Sequence, residues 1–200
     1  MSNLAVALVH YPVYNKHRDV VTTAFTNLDI HDIARTARTY GLSRYYLVTP
    51  ATEQQQLLQR IVTHWDAGWG AGYNPDRKEA LGIVRVVAQL QDAITDLAQE
   101  GPVTLIATGA AHRPGSSSFK ALREQLRDQQ RRFLLLLGTG WGLADEIFTQ
   151  ADCILEPIQG VGAYNHLPVR SALAIMLDRL LGQYEERNLE KGISEEEQAL

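Results

Sequence analysis

The sequence predicts an α/β fold: a single domain built on a parallel, Rossmann-like sheet. Three observations carry that expectation. Apolar runs of strand length alternate with amphipathic runs of helix length from one end of the chain to the other. The run Phe133-Leu-Leu-Leu-Leu137 is apolar at every position and stops at Gly138, the pattern of a strand covered on both faces. No repeat or low-complexity linker divides the 200 residues, a length that suits one domain.

Taken in order, Leu4 to Val9 reads as a buried strand, followed by an aromatic and basic loop from His10 to Arg18. Residues 20–27 have strand-like composition but run straight into a helix. Asn27 is placed to cap it, Asp29 and Asp32 suit its positive first turns, and Gly41 ends it. Ile30, Ile33, Ala34 and Ala37 form its apolar stripe, whereas His31, Arg35 and Arg38 share another face. Arg44 to Thr49 is the second strand, stopped by Pro50, and Gln54 to Trp65 is helical. Residues 64–76, with three glycines, two tryptophans and a tyrosine, read as a mobile loop. A third strand lies within Ala80 to Val87, then a helix from Leu90 to Leu97, then a strand from Val103 to Ala107. Thr108 to Ser118 is the next loop, and a basic helix follows through Lys120, Arg123 and Arg127.

After Leu137, Gly138-Thr-Gly-Trp-Gly-Leu143 turns the chain into a helix around residues 144–149. A short strand, Cys153 to Leu155, leads to the loop Glu156 to His166. In the last helix Val169, Ala172, Leu173, Met176, Leu177 and Leu180 recur at helical spacing, with Pro168 at its start and Gly182 at its stop. Ala174, Ile175 and Leu181 widen this apolar face beyond a one-sided stripe, which predicts a homodimer with this helix near the interface. Glycine loops thus follow neighbouring strands at their carboxyl ends, where open α/β sheets bind ligands.

Composition narrows the classes. No apolar run approaches the ~18 residues of a membrane span, and the N-terminus lacks a signal peptide's basic region. A lone Cys153 excludes an internal disulfide and suits a reducing, cytoplasmic setting. In residues 184–200 six glutamates stand against Arg187 and Lys191, a balance of −4 that equals the whole net charge. Residues 1–183 are therefore neutral, and 184–200 read as an acidic, solvated tail. There is no P-loop; Gly138, Gly140 and Gly142 run G-x-G-x-G, not G-x-G-x-x-G; no zinc spacing and no G-x-S-x-G elbow occurs. The remaining chemistry uses no metal and no covalent nucleophile, as in methyl transfer from a sulfonium cofactor. Adenosine recognition requires close backbone approach and apolar walls. Gly138, Gly140, Leu143, Ile158, Gly160 and Leu167 supply both, and Thr108 and Gly109 supply a third side.

Leu137-Gly138 to Gly142-Leu143, Pro157-Ile-Gln-Gly160, and Tyr164-Asn-His166 leading into Ser171-Ala-Leu-Ala-Ile175 resemble the second and third motifs of the SPOUT superfamily. These are S-adenosylmethionine-dependent RNA methyltransferases. Asn27 to Gly41, with Arg35-Thr-Ala37, resembles the first motif of the SpoU-type branch. The resemblance implies a C-terminal trefoil knot, S-adenosylmethionine bound between the loops, a tRNA or rRNA substrate, and a homodimer. It adds Thr139 and Asn165 to the cofactor residues and nominates Arg35 for catalysis, with Asn27, Asn165 and Arg170 as further polar contributors. Arg170 has two readings, phosphate binding or pairing with Asp145 or Glu146. Two departures stand out: the second motif lacks the SpoU glutamate, and Tyr164-Asn-His166 replaces Ser-Leu-Asn. They motivate an alternative, a catalytically silent RNA- or protein-binding dimer; an unrelated α/β nucleotide-binding module is a third reading. Trp65, Trp69 and Tyr73 are candidates for stacking on bases.

Overall fold

The computed structural model describes residues 2–162 and 164–183. Its centre is β1 (Leu4–Val9), every residue of which is buried. It pairs in parallel with β4 (Tyr45–Val48) on one side and β7 (Arg132–Gly138) on the other. β5 (Val84–Val87) extends the sheet beyond β4, and β6 (Val103–Ala107) and β8 (Cys153–Ile154) extend it beyond β7. The described residues give one six-stranded parallel sheet in the order β5-β4-β1-β7-β6-β8. A small hairpin, β2 (Val13–Tyr14) with β3 (Val20–Val21), stands apart from it; β2 lies in the segment expected to be a loop and β3 in the one with strand-like composition.

The continuous apolar runs follow from two-sided covering. Along β1 and β7, Leu4, Val6, Leu8, Phe133, Leu135 and Leu137 enter one core, while Ala5, Ala7, Val9, Leu134 and Leu136 enter the other. On the first face lie α1 (Asn27–Thr39), α6 (Phe119–Gln125) and α8 (Val169–Leu181), which send in Ile30, Ile33, Leu122, Leu173 and Leu177. α5 (Leu90–Ala98) and α7 (Asp145–Gln150) cover the second face, where the small Ala5 and Ala7 let Leu90, Leu97 and Ile147 approach closely. Each fully buried leucine contributes about 1.5–3 kcal/mol of transfer free energy, so this double core fixes the strands firmly.

Three expectations need correction. Residues 64–76 are helical for most of their length: α2 (Thr52–Asp66) runs into α3 (Trp69–Tyr73) and α4 (Pro75–Leu81). Pro75 at the first turn and Asn74 capping Arg77 N–H explain why α4 forms among so many breakers. The cap of α1 is Thr26, not Asn27; its hydroxyl accepts from Asp29 N–H at 3.3 Å and donates to the Asp29 carboxylate at 2.6 Å. Finally, α8 finds most of its partners within its own chain. Leu173, Met176, Leu177 and Leu180 are buried, and Val169, Ala172, Ile175 and Leu181 pack half-buried on the same core. The breadth of its apolar face is thus met by α1 and α6. The acidic tail lies outside the described residues.

Candidate functional site

Parallel strands align their carboxyl ends, so the connections after β1, β6, β7 and β8 converge at one edge of the sheet. After β6, the Thr108 hydroxyl donates to the Leu136 carbonyl at 2.8 Å and pins that loop to β7. After β7, the chain folds back at once, with Gly142 N–H donating to Thr139 O at 3.0 Å and Gly140 and Gly142 at φ of +58° and +99°. A Cβ on Gly138 would stand 2.6 Å from Leu143 N, inside the turn itself. One on Gly140 would meet the Tyr14 carbonyl at 2.9 Å and Thr23 Cγ2 at 3.3 Å. These two glycines serve the chain's own close approach, between the turn and the β2–β3 hairpin. Trp141 N–H and Tyr14 N–H bond reciprocally to Tyr14 O and Gly142 O, both at 2.9 Å, and the Thr139 hydroxyl donates to Val9 O.

The third loop is stitched to the first. Ser117 N–H donates to Ile154 O and Glu156 N–H to Ser117 O, while the Glu156 carboxylate accepts from Phe119 N–H at the start of α6. Farther along, the Asn165 amide donates to Ala110 O at 2.9 Å. Asn165 therefore sets the spacing of two loops. Between them lie groups suited to a ligand. Among the described residues, the backbone N–H groups of Gly109, Ala110, Gln159 and Gly160 have no hydrogen-bond partner. A Cβ on Gly109 would touch only the Phe148 ring at 3.6 Å, and one on Gly160 only Tyr164 O at 3.6 Å, so both stretches are open to close approach. Ile158 is buried at the edge of the core shared with α1, α6 and α8, Leu143 at the edge of the core shared with α5 and α7, and Leu167 is exposed. Backbone donors and absent side chains leave these two loops free to accept a ligand's hydrogen-bonding edge.

The polar nominees separate. Arg170, at the start of α8, reaches α1 instead of α7: its guanidinium lies 3.2 Å from both Asp29 and Asp32 carboxylates. Asp145 is occupied by Arg113 at 2.9 Å, Arg18 at 3.1 Å and the Tyr14 hydroxyl, and the Arg113 hydrogen bond above all holds its carboxyl below the usual range. Arg170 is consequently a positioning residue that ties α8 to α1. Arg35 is exposed, and its guanidinium has no ion-pair partner among the described residues. Asn27 lines a separate cleft with His31, Arg60, Ile61, His64, Trp65 and Arg77, none of them in the glycine loops. Trp69 and Tyr73 stack on each other at 4.8 Å, and both remain exposed.

Two residues escaped the sequence reading. Asp29 was taken as a dipole partner, yet it is buried beneath Arg170, and Tyr45 OH donates to its carbonyl. His10, directly after β1, is fully buried; Nδ1 lies 3.2 Å from the Thr23 hydroxyl, and Nε2 has no partner among the described residues. Burial lowers its pKa from 6.5 to about 4, against a smaller upward pull from Asp29, so the imidazole is neutral near pH 7. A histidine directly following an all-apolar central strand was the available signal.

A six-stranded parallel sheet with loops gathered at its carboxyl edge defines an α/β protein of the open-sheet class, which binds ligands at that edge. The chain belongs to a family of SAM-dependent RNA methyltransferases, whose model matches residues 3–182. It is 46% identical over 183 residues to a tRNA (guanine-N(1)-)-methyltransferase of Oleidesulfovibrio alaskensis, covering 90% of this chain but 42% of that one. A protein of the same name from Nitratidesulfovibrio vulgaris is 45% identical with the same coverage, so the chain spans about two fifths of the length of these relatives. An uncharacterized protein of Aquifex aeolicus is 39% identical over 90% of this chain and 89% of its own. The fold is that of SpoU-type enzymes. The TrmH/SpoU tRNA modifying enzyme of Aquifex aeolicus superposes with a TM-score of 0.55 at 18% identity, over 93% of this chain and 77% of that one. The SpoU methyltransferase AviRb of Streptomyces viridochromogenes, crystallised with AdoMet, gives 0.56 at 15%, over 90% and 58%. No described helix is long and apolar enough to cross a membrane.

Proposed function

We propose that this chain transfers a methyl group from S-adenosylmethionine to tRNA or rRNA in the cytoplasm, with residues 1–183 as the methyltransferase domain. The observation that carries the reading is the carboxyl edge, where unpartnered backbone donors of Gly109, Ala110, Gln159 and Gly160 face loops held apart by Asn165. Of the ten cofactor residues expected from sequence, Gly109, Gly160, Ile158 and Leu167 would make direct contact. Thr108, Gly138, Thr139, Gly140, Leu143 and Asn165 would shape the loops that hold them. The cofactor, when bound, supplies an activated methyl on a sulfonium. That methyl would pass to an oxygen or nitrogen of RNA, the cofactor leaving as the neutral thioether with the carbon–sulfur electron pair and the acceptor's proton passing to solvent. Arg35, exposed and uncommitted, is assigned to the RNA side, where its charge favours the electron-rich acceptor. Arg170 and Asp29 keep α1, and with it Arg35, in register with α8.

The guanine-N1 specificity in the names of the longer relatives is not carried over. This chain corresponds to two fifths of those proteins, and the name describes the whole.

A trefoil knot and a two-fold dimer complete the proposal. After α7 on one face, the chain passes along β8, is stitched to Ser117, and reaches α8 on the opposite face, a path that suits a threaded C-terminus. Tyr11, Trp141, Tyr164 and Leu167 are exposed on connections at the carboxyl edge and Leu28 in the first turn of α1, and this apolar surface suits a second subunit better than α8 does. Sedimentation equilibrium at micromolar concentration tests the dimer; monomer alone removes it.

Calorimetry with S-adenosylmethionine, followed by single-turnover transfer of labelled methyl to unmodified bulk RNA, tests the activity. Micromolar or tighter cofactor binding and labelled RNA are expected. Nucleoside digestion of that RNA identifies the acceptor atom. Arg35→Ala should keep cofactor affinity within a few fold and lower transfer by about 100-fold, or roughly 2.7 kcal/mol. Transfer at the parent rate removes Arg35. Cofactor binding without transfer to any RNA favours the catalytically silent alternative.

A further inference from the structure

The cleft between α1, α2 and α4 lies outside the methyl-transfer edge. Its volume is about 380 Å³, within the usual span of small-molecule sites, and its seven lining residues include two arginines, two histidines and no carboxylate. Residues 1–183 carry no net charge with histidines neutral, so this pairing of two arginines without a carboxylate is local. Trp65 organises it: the Arg77 guanidinium lies 4.8 Å from its ring centre, and His31 and His64 meet it edge-on at 5.7 and 5.2 Å. Arg77 Nε and His31 Nδ1 are buried without a hydrogen-bond partner among the described residues. An unpaired buried donor costs about 1–3 kcal/mol, and groups kept in that state are poised for an external partner. Arg60 is exposed at the rim and enters no described ion pair.

Position along α1 links the cleft to the reaction. Asn27 and His31 line it, and Arg35 follows His31 by one turn, about 6 Å of rise. A strand lying along α1 therefore reaches both.

We propose that this cleft holds a nucleotide of the RNA substrate flanking the methylated one, a proposal that rests on the RNA-methylating reading above. The phosphodiester bonds to Arg60 and Arg77, and the heterocycle lies against Ile61 and Trp65. An arginine at such a site donates two N–H groups to phosphate oxygens, and an aromatic surface accepts any base without reading sequence. The cleft thereby adds affinity and register, and leaves base choice to the edge.

The test uses the full chain, unfractionated transfer RNA and S-adenosylmethionine. Filter binding across a salt series is measured for the parent, Arg60→Gln and Arg77→Met; methionine keeps apolar bulk against Trp65. Each variant should bind RNA about 5- to 10-fold more weakly, with the salt slope reduced by about 1. Cofactor affinity by calorimetry should stay unchanged. Arg60 is exposed, so its variant reports even if Arg77→Met misfolds. Parent affinity and slope in folded Arg60→Gln and Arg77→Met overturn the proposal. A second arm follows the Trp65 indole signal by NMR in a Trp69→Phe, Trp141→Phe background while uridine 5′-monophosphate, uridine or inorganic phosphate is added. The monophosphate should shift it most, and Arg60→Gln should weaken that response. Equal competition with RNA by polyglutamate would overturn the proposal in favour of an acidic protein segment. Failure of the parent to bind cofactor would sink the methyltransferase reading, while the nucleotide titration still reports on the cleft.

Discussion

At the carboxyl edge of the sheet the groups offered to a ligand belong to the backbone, whereas in the cleft beside α1 they belong to side chains. Gly109 and Gly160 present N–H groups because nothing projects in front of them. Arg60, Arg77, His31 and His64 present nitrogen atoms carried on four separate turns of three helices. A backbone-built site depends on chain path, so its weak points are residues that permit the path. A side-chain site depends on individual groups, so it loses function one contact at a time while the fold survives. The two share α1, and Arg170 is the clamp between them.

The largest effect should come from breaking the path. Gly138→Val places a branched side chain against Leu143 N at 2.6 Å. It should cost about 3 kcal/mol in urea unfolding and abolish cofactor binding. A variant with parent stability would show that the turn can relax and that the edge is less rigid than argued. Gly140→Val meets the Tyr14 carbonyl at φ +58°, so it should also destabilise the hairpin contact instead of leaving the fold untouched.

Next comes the clamp. Arg170→Met strands the buried Asp29 carboxylate while Asp32, more exposed, is solvated. Arg170 is itself about a third exposed, which discounts the pair, and a loss of about 2 kcal/mol is expected. Methyl transfer should fall more than cofactor affinity, since the edge is intact but α1 is released. Equal falls in both would place Arg170 at the cofactor.

A smaller effect distinguishes the buried end of β1. His10 is held neutral by burial, its pKa lowered from 6.5 to about 4. As pH falls below 6.5 the unfolded chain takes up a proton that the native state refuses, so native stability drops, with full loss reached near pH 4. Between pH 6.5 and 5 the parent should lose about 1.5 kcal/mol more than His10→Asn. Parallel pH profiles for the two would mean that His10 takes up its proton as readily in the fold as in the unfolded chain. Smallest of all, Gly162→Ala meets nothing within 4 Å and should stay within about 0.5 kcal/mol, marking where the edge loop stops being constrained.

Strands were readable because two-sided covering writes itself as uninterrupted apolar runs; Leu4–Val9 and Phe133–Leu137 needed no other information. The glycine loops were readable as places where a path turns. Which glycines leave open space was not, since Gly138 and Gly140 look like Gly109 and Gly160 until the turn closes on Gly138 and the β2–β3 hairpin on Gly140. Residues 64–76 misled because glycine and tryptophan content signals a loop, and the Pro75 start with its Asn74 cap outweighed it. Arg170 illustrates the same limit. Its charge could be read, but its partners, 138 and 141 positions away on α1, could not.

By itself the sequence determined the α/β class, the succession of the sheet's strands and the edge where the loops meet, and the RNA-methyltransferase resemblance that the comparisons bear out. Those follow from local hydrophobic period and from glycine, proline and capping residues, which act over a few positions. Tertiary structure alone decided that Arg170 serves α1, that Asn165 spaces two loops, that α8 is largely covered by its own chain, and that arginine and histidine side chains from three helices gather around Trp65. Such juxtapositions depend on long-range packing of whole faces, and no short-range pattern encodes which polar group a distant helix will bring opposite.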